Sequence, residues 1–329
     1  ALAKQADVVM IAPASANVIG KIAHGIADDM LTTTVMACRC KKILAPAMNT
    51  NMYENPILQD NLDICRRYGM EVITPAWGYL ACGDTGAGKM PEPEVLYEYI
   101  LREAGYPGDL AGRRILVTAG PTRESIDPVR YITNHSTGKM GYAIARVAAY
   151  RGADVTLVSG PVDLPRPLFV ETVLVESARE MFEAVTARSG EQDIIVKAAA
   201  VADYRPATVG TEKIKKSDGD LSIALERTND ILAWLGQNRR DGQFLCGFSM
   251  ETQNMLENSR AKLAKKHIDM IVANNLKVEG AGFGTDTNVV TLITRDSETE
   301  LPIMTKEEVA DCLLTEILKR TKEQDGIQG

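Results

Sequence analysis

The run from Ile115 to Gly141, ILVTAGPTRESIDPVRYITNHSTGKMG, constrains the chain most, because an apolar segment breaks into a long polar loop before a helix can begin. Ile115, Leu116 and Val117 read as a short buried strand that must turn at Gly120-Pro121. Ser136 and Thr137 offer caps for a helix that Tyr142, Ile144, Ala145 and Ala148 continue at helical spacing. Gly138 and Gly141 let a ligand or another backbone come close. Free N–H groups at such a helix start attract anions. Arg123, Arg130, Asn134, His135 and Lys139 add donors for anionic or carbonyl oxygens between strand and helix. A long loop with solvated charges fits the same residues, but loops of this length in compact domains tend to be functional.

Around this run the pattern is one of strands alternating with helices, which implies a mainly parallel sheet. Strands are expected near 154–159, 172–175, 193–199, 243–249, 269–273 and 288–294. Helices are expected near 177–188, 229–238 and 255–267, with an amphipathic helix over 306–322 and a frayed end at 325–329. Before the run, Ala6 to Ala12 reads as a buried strand followed by a helical stretch to about Met36. A second strand covers Lys42 to Ala45, Pro56 opens a helix, and a third strand covers Glu71 to Thr74. Three glycines and a proline in Gly105–Gly112 mark a linker. The expected fold is therefore α/β, with two Rossmann-like parallel-sheet domains over 1–108 and 109–329. The first strand begins so abruptly that an N-terminal part of the first domain is expected to be missing.

Composition narrows the partners. A net charge of -7 supplies no basic field for nonspecific nucleic-acid binding, so small molecules are the expected partners. The 6 cysteines (Cys38, Cys40, Cys65, Cys82, Cys246, Cys312) form no CxxC pair, which suits thiols in a reducing cytoplasm. Cys38-Arg39-Cys40 is too isolated for a zinc site. No apolar run approaches a membrane span.

Ligands of open α/β sheets bind at strand carboxyl ends, so Ser15, Asn17, Met48 and Asn49 are expected to line one crevice, although asparagines there also serve turns. Gly83 to Lys89 satisfies GxxxxGK, but Met90 stands where a magnesium-binding hydroxyl is needed and Pro91 and Pro93 follow where a helix should run, so a P-loop is rejected. Cys82, on a flap with four glycines between Gly78 and Gly88, is placed either to enter a site or to pack as an inert thiol. The turn Ala119-Gly120-Pro121-Thr122 lacks the second glycine of GxGxxG, and no acid ends the next strand, which excludes the NAD fingerprint. Further on, Asp203 ends an apolar strand, Lys213, Lys215 and Lys216 cluster, and Lys262 and Lys266 share a helical face before Asn274-Asn275. Because a helix terminus contributes only about 0.3–1 kcal/mol at an exposed site, lysines would do most of the neutralising of a bound triphosphate, although on pattern alone Lys262 and Lys266 read more readily as a solvated helix face and Lys213 to Lys216 equally as a charged loop.

These residues resemble a known family. PASAN (Pro13–Asn17), PAMNTNMY (Pro46–Tyr53) and GYLACGDTGAGKM (Gly78–Met90) resemble flavin-dependent phosphopantothenoylcysteine decarboxylases. VTAGPTRESIDPVRYITNHSTGKMG, AAAVADYRP (Ala198–Pro206) and KIKK (Lys213–Lys216) resemble phosphopantothenate–cysteine ligases. In this order they resemble the bacterial bifunctional enzymes of coenzyme A synthesis. The resemblance implies CTP-dependent activation of 4′-phosphopantothenate as an acyl-cytidylate, displacement of CMP by cysteine, and FMN-dependent decarboxylation of the product through a thioaldehyde. Lys213 matches the position tied to acyl-cytidylate formation, and Arg130, Asn134 and Ala200 match positions tied to the second half-reaction. Asp203, Phe248, Lys262 and Lys266 match nucleotide-site positions. Asn49 matches the residue that binds the substrate carboxylate and Cys82 the flap cysteine. Ser15, Asn17 and Met30 fall in stretches that approach FMN. Magnesium is implied without assignable ligands, as are ligase dimers and, with a complete N-terminus, a dodecamer. Relatives carry a glycine-rich flavin-phosphate turn and a catalytic histidine ahead of the position where this chain starts, and His24 does not replace it. The expectation is therefore an intact ligase with weak or absent decarboxylation; the alternative is a ligase whose N-terminal third is a non-catalytic flavin-binding or oligomerising module.

Overall fold

The computed structural model describes residues 2–80, 83–215, 221–250, 255–274 and 284–327, and the chain divides into two compact units, Ala1–Gly108 and Asp109–Gly329. In the first unit α1 (Leu2–Gln5) leads into β1 (Val8–Ala14), α2 (Ala16–Ala23), α3 (Met30–Ala37), β2 (Lys41–Pro46), α4 (Thr50–Tyr53), α5 (Pro56–Arg67), β3 (Glu71–Val72), β4 (Ala76–Tyr79), β5 (Thr85–Lys89) and α6 (Pro93–Ile100). β1, β2 and β3 pair in that order as a parallel sheet. Alternation along β2 sends Leu44 into a cluster with Ile19, Leu58, Leu62 and Cys65. Ile43 and Ala45 meet Ile73 and Leu96.

The helical stretch expected through Met36 is two helices, because Gly25 turns the chain at φ 68° and Asp29 caps α3, accepting from Thr32 N at 2.8 Å. Pro56 opens α5 as expected, at its first turn behind the cap Asn55. The glycine-rich segment is an antiparallel hairpin of β4 and β5. Its glycines serve a close backbone approach: Met48 N donates to Gly88 O at 3.0 Å, and a Cβ on Gly88 would lie 2.2 Å from Met48 O.

The second unit runs β6 (Arg114–Ala119), β7 (Arg123–Ser125), β8 (Tyr131–Thr133), α7 (Lys139–Tyr150), β9 (Asp154–Ser159), β10 (Val170–Leu174), α8 (Ala178–Ser189), β11 (Ile194–Lys197), β12 (Tyr204–Pro206), β13 (Leu225–Arg227), α9 (Ile231–Asn238), β14 (Phe244–Met250), α10 (Met255–Lys266), β15 (Met270–Asn274), β16 (Thr287–Asn288), β17 (Val290–Ile293), β18 (Glu298–Glu300), β19 (Met304–Thr305) and α11 (Lys306–Ile327). The main sheet has the order β10-β9-β6-β11-β14-β15-β17-β18, parallel through β15 and antiparallel beyond it. The parallel part has the doubly wound order of dinucleotide-binding folds, with its topological switch between β6 and β11. Leu116, Ile195, Leu245 and Ile271 from four adjacent strands share a core with Met181, Val185, Ile231, Leu235 and Leu263. α11 packs along α7. Between them the buried Arg151 pairs with Asp109 at 2.7 Å and Asp311 at 3.0 Å.

Two sequence expectations are corrected. Residues 109–112 of the expected linker already belong to the second unit, since Leu110 is fully buried and donates its N–H to Arg151 O at 3.0 Å. The helix after the loop starts at Lys139, and its cap is Gly138 at φ 77° rather than the Ser136 or Thr137 side chain. Gly141 serves a backbone rather than a ligand: a Cβ there would lie 2.5 Å from Ala119 Cβ and 2.9 Å from Thr118 O. A Gly141→Ala variant should therefore lose about 1–3 kcal/mol by overpacking, read as a lower denaturation midpoint of the second unit. An unchanged midpoint would show that α7 can back away from β6.

Candidate active site

The switch between β6 and β11 is held by backbone and hydroxyl bonds across it. The buried Thr118 Oγ1 accepts from Ala199 N at 3.1 Å, and the buried Thr122 Oγ1 accepts from Ala202 N at 3.0 Å. Ala200 N donates to Gly120 O at 2.9 Å, and Asn134 Nδ2 donates to Ala200 O at 2.8 Å. The segment 198–202 is thus pinned beside the loop that follows β6. Two cavities open along it.

One cavity, of about 370 Å³, collects Asp203, Phe248, Lys262 and Lys266, together with Thr228 and Asp230. Lys266 Nζ donates to Asp230 Oδ2 at 2.7 Å. Burial pushes the Asp230 carboxyl up, but the Lys266 bond and the Ala233 N–H outweigh it and hold the acid below its ordinary range. The other cavity, of about 440 Å³, is lined by Asn134, the α7 start from Ser136 to Gly141, Ala200, Asn274, Asn288 and Lys306. Lys139 pairs with Asp286 at 2.7 Å. Lys306 is buried and its ammonium pKa is lowered, first by burial and then by Lys139. Lys197, Val201, Asp203, Phe248 and Lys262 border both cavities. A cationic, strand-end cleft with one cavity on each side of a shared wall suits an anionic substrate meeting a nucleotide.

The structure sorts the residues singled out in the sequence. It brings Asp203, Phe248, Lys262 and Lys266 into one cavity and Asn134 and Ala200 into its neighbour. Arg130 and Lys213 line neither. Arg130 and Ile214, the residue after Lys213, are joined instead through Asp127, a buried acid that sequence reasoning passed over. Arg130 Nε donates to Asp127 Oδ2 at 3.0 Å and Nη2 donates to the same oxygen. Ile214 N donates to Asp127 at 3.1 Å, while Ile214 O accepts from Arg130 Nη2 at 3.0 Å. The loop carrying the exposed Lys213 is thereby anchored one residue away. The signal was present in Asp127-Pro128-Val129-Arg130, whose spacing closes a turn with an i,i+3 ion pair. Lys306 and Asn288 carried no such signal, because only the tertiary fold carries the chain end to the cleft. Lys216 and Asn275 lie outside the described residues.

In the first unit, Ser15 follows β1 and caps α2, accepting from Val18 N at 3.3 Å. Asn17 is exposed in the first turn of α2, and Met30, opening α3, is 73% exposed. Ala47 N donates to Ala14 O at 3.1 Å, so the loops after β1 and β2 leave neighbouring strand ends. Asn49 Oδ1 accepts from Asn51 N at 2.8 Å and its Nδ2 donates to Asp84 at 3.3 Å. Cys82 lies outside the described residues. His24 bonds Asn61 at 3.0 Å, a bridge between α2 and α5. Hydroxyl and amide groups of Ser15, Asn17 and Asn49 follow the carboxyl ends of neighbouring strands, a donor set that fits the polar edge of a planar ring such as a flavin. Among the described residues no three His, Cys, Asp or Glu side chains converge as a metal site.

A doubly wound ligase-type cleft in one unit and a flavin-compatible parallel sheet in the other define a two-unit α/β enzyme. The family described as DNA/pantothenate metabolism flavoprotein C-terminal domain matches residues 110–321, and the Flavoprotein family matches residues 1–105. The coenzyme A biosynthesis bifunctional protein CoaBC of Bacillus subtilis (strain 168) is 48% identical over 97% of this chain and 79% of its own length. A cysteine/cysteine sulfinic acid decarboxylase from an unknown prokaryotic organism is 44% identical over 95% of this chain and 89% of its own. Among solved structures, the C-terminal domain of a CoaBC protein aligns with TM-score 0.57 and 48% identity, over 66% of this chain and 99% of that one. The chain belongs to the family of bifunctional coenzyme A biosynthesis proteins, and carries both a flavoprotein decarboxylase domain and a ligase domain. A non-catalytic N-terminal third is not favoured.

The Asp127 clamp is testable. Arg130 first, and then N–H donors from Val129 and Ile214, hold its carboxyl well below the usual range. A depressed carboxylate contributes above its ordinary pKa and is lost only as pH falls through the folded value, so the clamp stays intact throughout neutral pH. Asp127→Asn should lower ligase turnover by about a hundredfold through misplacement of Arg130 and the Lys213 loop. That loss should be the same at every neutral or alkaline pH tested. Full turnover in the variant would remove the positioning role.

Proposed function

We propose that the second unit joins 4′-phosphopantothenate to cysteine at the expense of CTP, in two displacements. The substrate carboxylate oxygen attacks the α-phosphorus and pyrophosphate leaves, forming the acyl-cytidylate. The cysteine amine then attacks the acyl carbon, CMP leaves with the bonding electrons, and the amine proton passes to solvent. The observation that carries this reading is the pair of cavities sharing one wall, with Lys266 on the nucleotide side, Asn134 and Ala200 on the acyl side, and Asp203, Phe248 and Lys262 on the wall between them. Lys262 and Lys266 would take phosphate oxygens. Asn134 would hold the acyl oxygen, and Arg130 and Lys213 would stabilise charge that develops as each leaving group departs. Magnesium has no converging ligand set among the described residues and enters no step.

In the first unit, FMN when bound would take two electrons from the substrate thiol, making the carboxylate labile, and give them back to the decarboxylated product, so that the overall reaction is redox-neutral. Ser15, Asn17 and Met30 would hold it, and Asn49 would bind the substrate carboxylate through its amide N–H. Cys82 would return a proton. The bifunctional name of the Bacillus relative supports phosphopantothenoylcysteine as substrate, while the cysteine decarboxylase relative makes free cysteine the compound to test against it. The described cysteines are free thiols, which suits a reducing cytoplasm, and no described helix is long and apolar enough to cross a membrane; the homo-oligomer is what the family resemblance implies.

Purified chain given 4′-phosphopantothenate, cysteine, magnesium and either CTP or ATP should release pyrophosphate only with phosphopantothenate present, faster with CTP. Lys213→Gln should reduce that release by about a hundredfold or more. No release from a folded protein would refute the ligase reading. For the first unit, carbon dioxide release should require phosphopantothenoylcysteine rather than free cysteine. Asn49→Asp, which sets a second carboxylate against the substrate's, should abolish it without touching ligation.

A further inference from the structure

Lys197 is the last residue of β11, the strand at the switch point, and it borders both cavities of the ligase unit. Its Nζ donates to Ala199 O at 3.0 Å, one bond for a group with three protons to place. Its register partners on the flanking strands, Thr118 on β6 and Gly247 on β14, offer no charge to oppose it. What faces it is cationic and anionic at once: Lys262 and Lys266 from α10, Asp230 from the cap of α9, and Asp203 from the loop after β11. Asp230 is already taken by Lys266. An ammonium placed among two further lysines, with Asp203 as the acid left to face it, belongs to a cluster of three cations and suits a bound anion.

Resting on the ligase reading above, we propose that Lys197 is a further phosphate ligand of that site, placing its charge on the nucleotide where the nucleotide cavity meets the acyl cavity. Lys262 and Lys266 lie on the outer helix and Lys197 on the sheet, so an anion between them is gripped from two sides. The arrangement also ties binding to protons. Burial, and then Lys262 and Lys266, lower the Lys197 pKa to about 8, against the opposing pull of Asp230 and Asp203. Only the protonated form attracts phosphate. As pH rises through about 8 the free protein loses this charge and affinity falls, whereas a bound polyanion raises the pKa and draws a proton in.

The test is CTP binding by calorimetry in buffers of different ionisation enthalpy, across the pH range that brackets 8, with pyrophosphate release measured in parallel. Wild-type protein, Lys197→Met and Lys197→Arg would be compared, with Lys213→Gln as the control for chemistry. Lys197→Met should bind CTP about tenfold more weakly at neutral pH, the worth of one charge-assisted bond. It should lose the proton uptake seen in the wild type above pH 8, and leave the KM for cysteine unchanged. Because it removes a costly buried charge, it should melt no lower than the wild type. Lys197→Arg should bind like the wild type at neutral pH and keep its affinity at alkaline pH. Equal affinity and equal proton uptake in wild type and Lys197→Met would overturn the proposal while leaving the ligase reading intact. A wild type that neither binds CTP nor releases pyrophosphate would overturn both.

Discussion

Two buried threonine hydroxyls at the carboxyl end of β6 do what the rest of the ligase unit depends on. Where β6 and β11 lie side by side their following loops must part, and a parallel sheet offers the backbone no further partners there. Thr118 and Thr122 accept the N–H groups of Ala199 and Ala202, so the segment 198–202 is satisfied without collapsing onto the loop that follows β6. The cleft persists because its walls are bonded to each other rather than to whatever fills it. Gly141 makes the same point from the other side, letting α7 lie directly on Ala119 so that its N-terminus reaches the cleft floor.

Charge in the cleft is organised by pairing cations with acids that stay ionised. Asp127 neutralises Arg130 and at the same time fixes Ile214, which ties Arg130 and the loop that carries Lys213 to one buried carboxylate. Asp230 does the same for Lys266 on the nucleotide side. In each case the acid is held below its ordinary pKa, so neither pair titrates near neutrality. Lys197 and Lys306 differ: burial first, and then neighbouring ammonium groups, lower their pKa values, and this outweighs the opposing pull of Asp230 and Asp203 on Lys197 and of Asp286 and Glu307 on Lys306.

The flavoprotein unit uses the same logic at smaller scale. Its sheet ends open into loops that carry Ser15 and Asn49, and the glycine hairpin reaches the second of these through Met48. A GxxxxGK string there forms a β-strand because Gly86 and Gly88 are needed for close packing on Thr50 and Met48, not for a phosphate.

The sequence by itself determined the element types, the near-correct strand positions and the α/β class, because buried parallel strands require continuous apolar runs and glycine or proline must punctuate them. It also presented Asp203, Phe248, Lys262 and Lys266 as candidates, and the fold brings these together in one cavity. Helix starts were less legible: Ser136 and Thr137 looked like caps, yet backbone at Gly138 does that work, since a positive φ is visible only in three dimensions. Only the tertiary structure decided that Arg130 and Ile214, the neighbour of Lys213, meet through Asp127, outside the cavities, and that Lys197 and Lys306 share a cleft with Asn134. Such contacts join residues far apart in the chain across a sheet whose strand order no local pattern encodes, and burial there lowers the pKa of Lys197 and Lys306 in a way that residue type alone does not reveal.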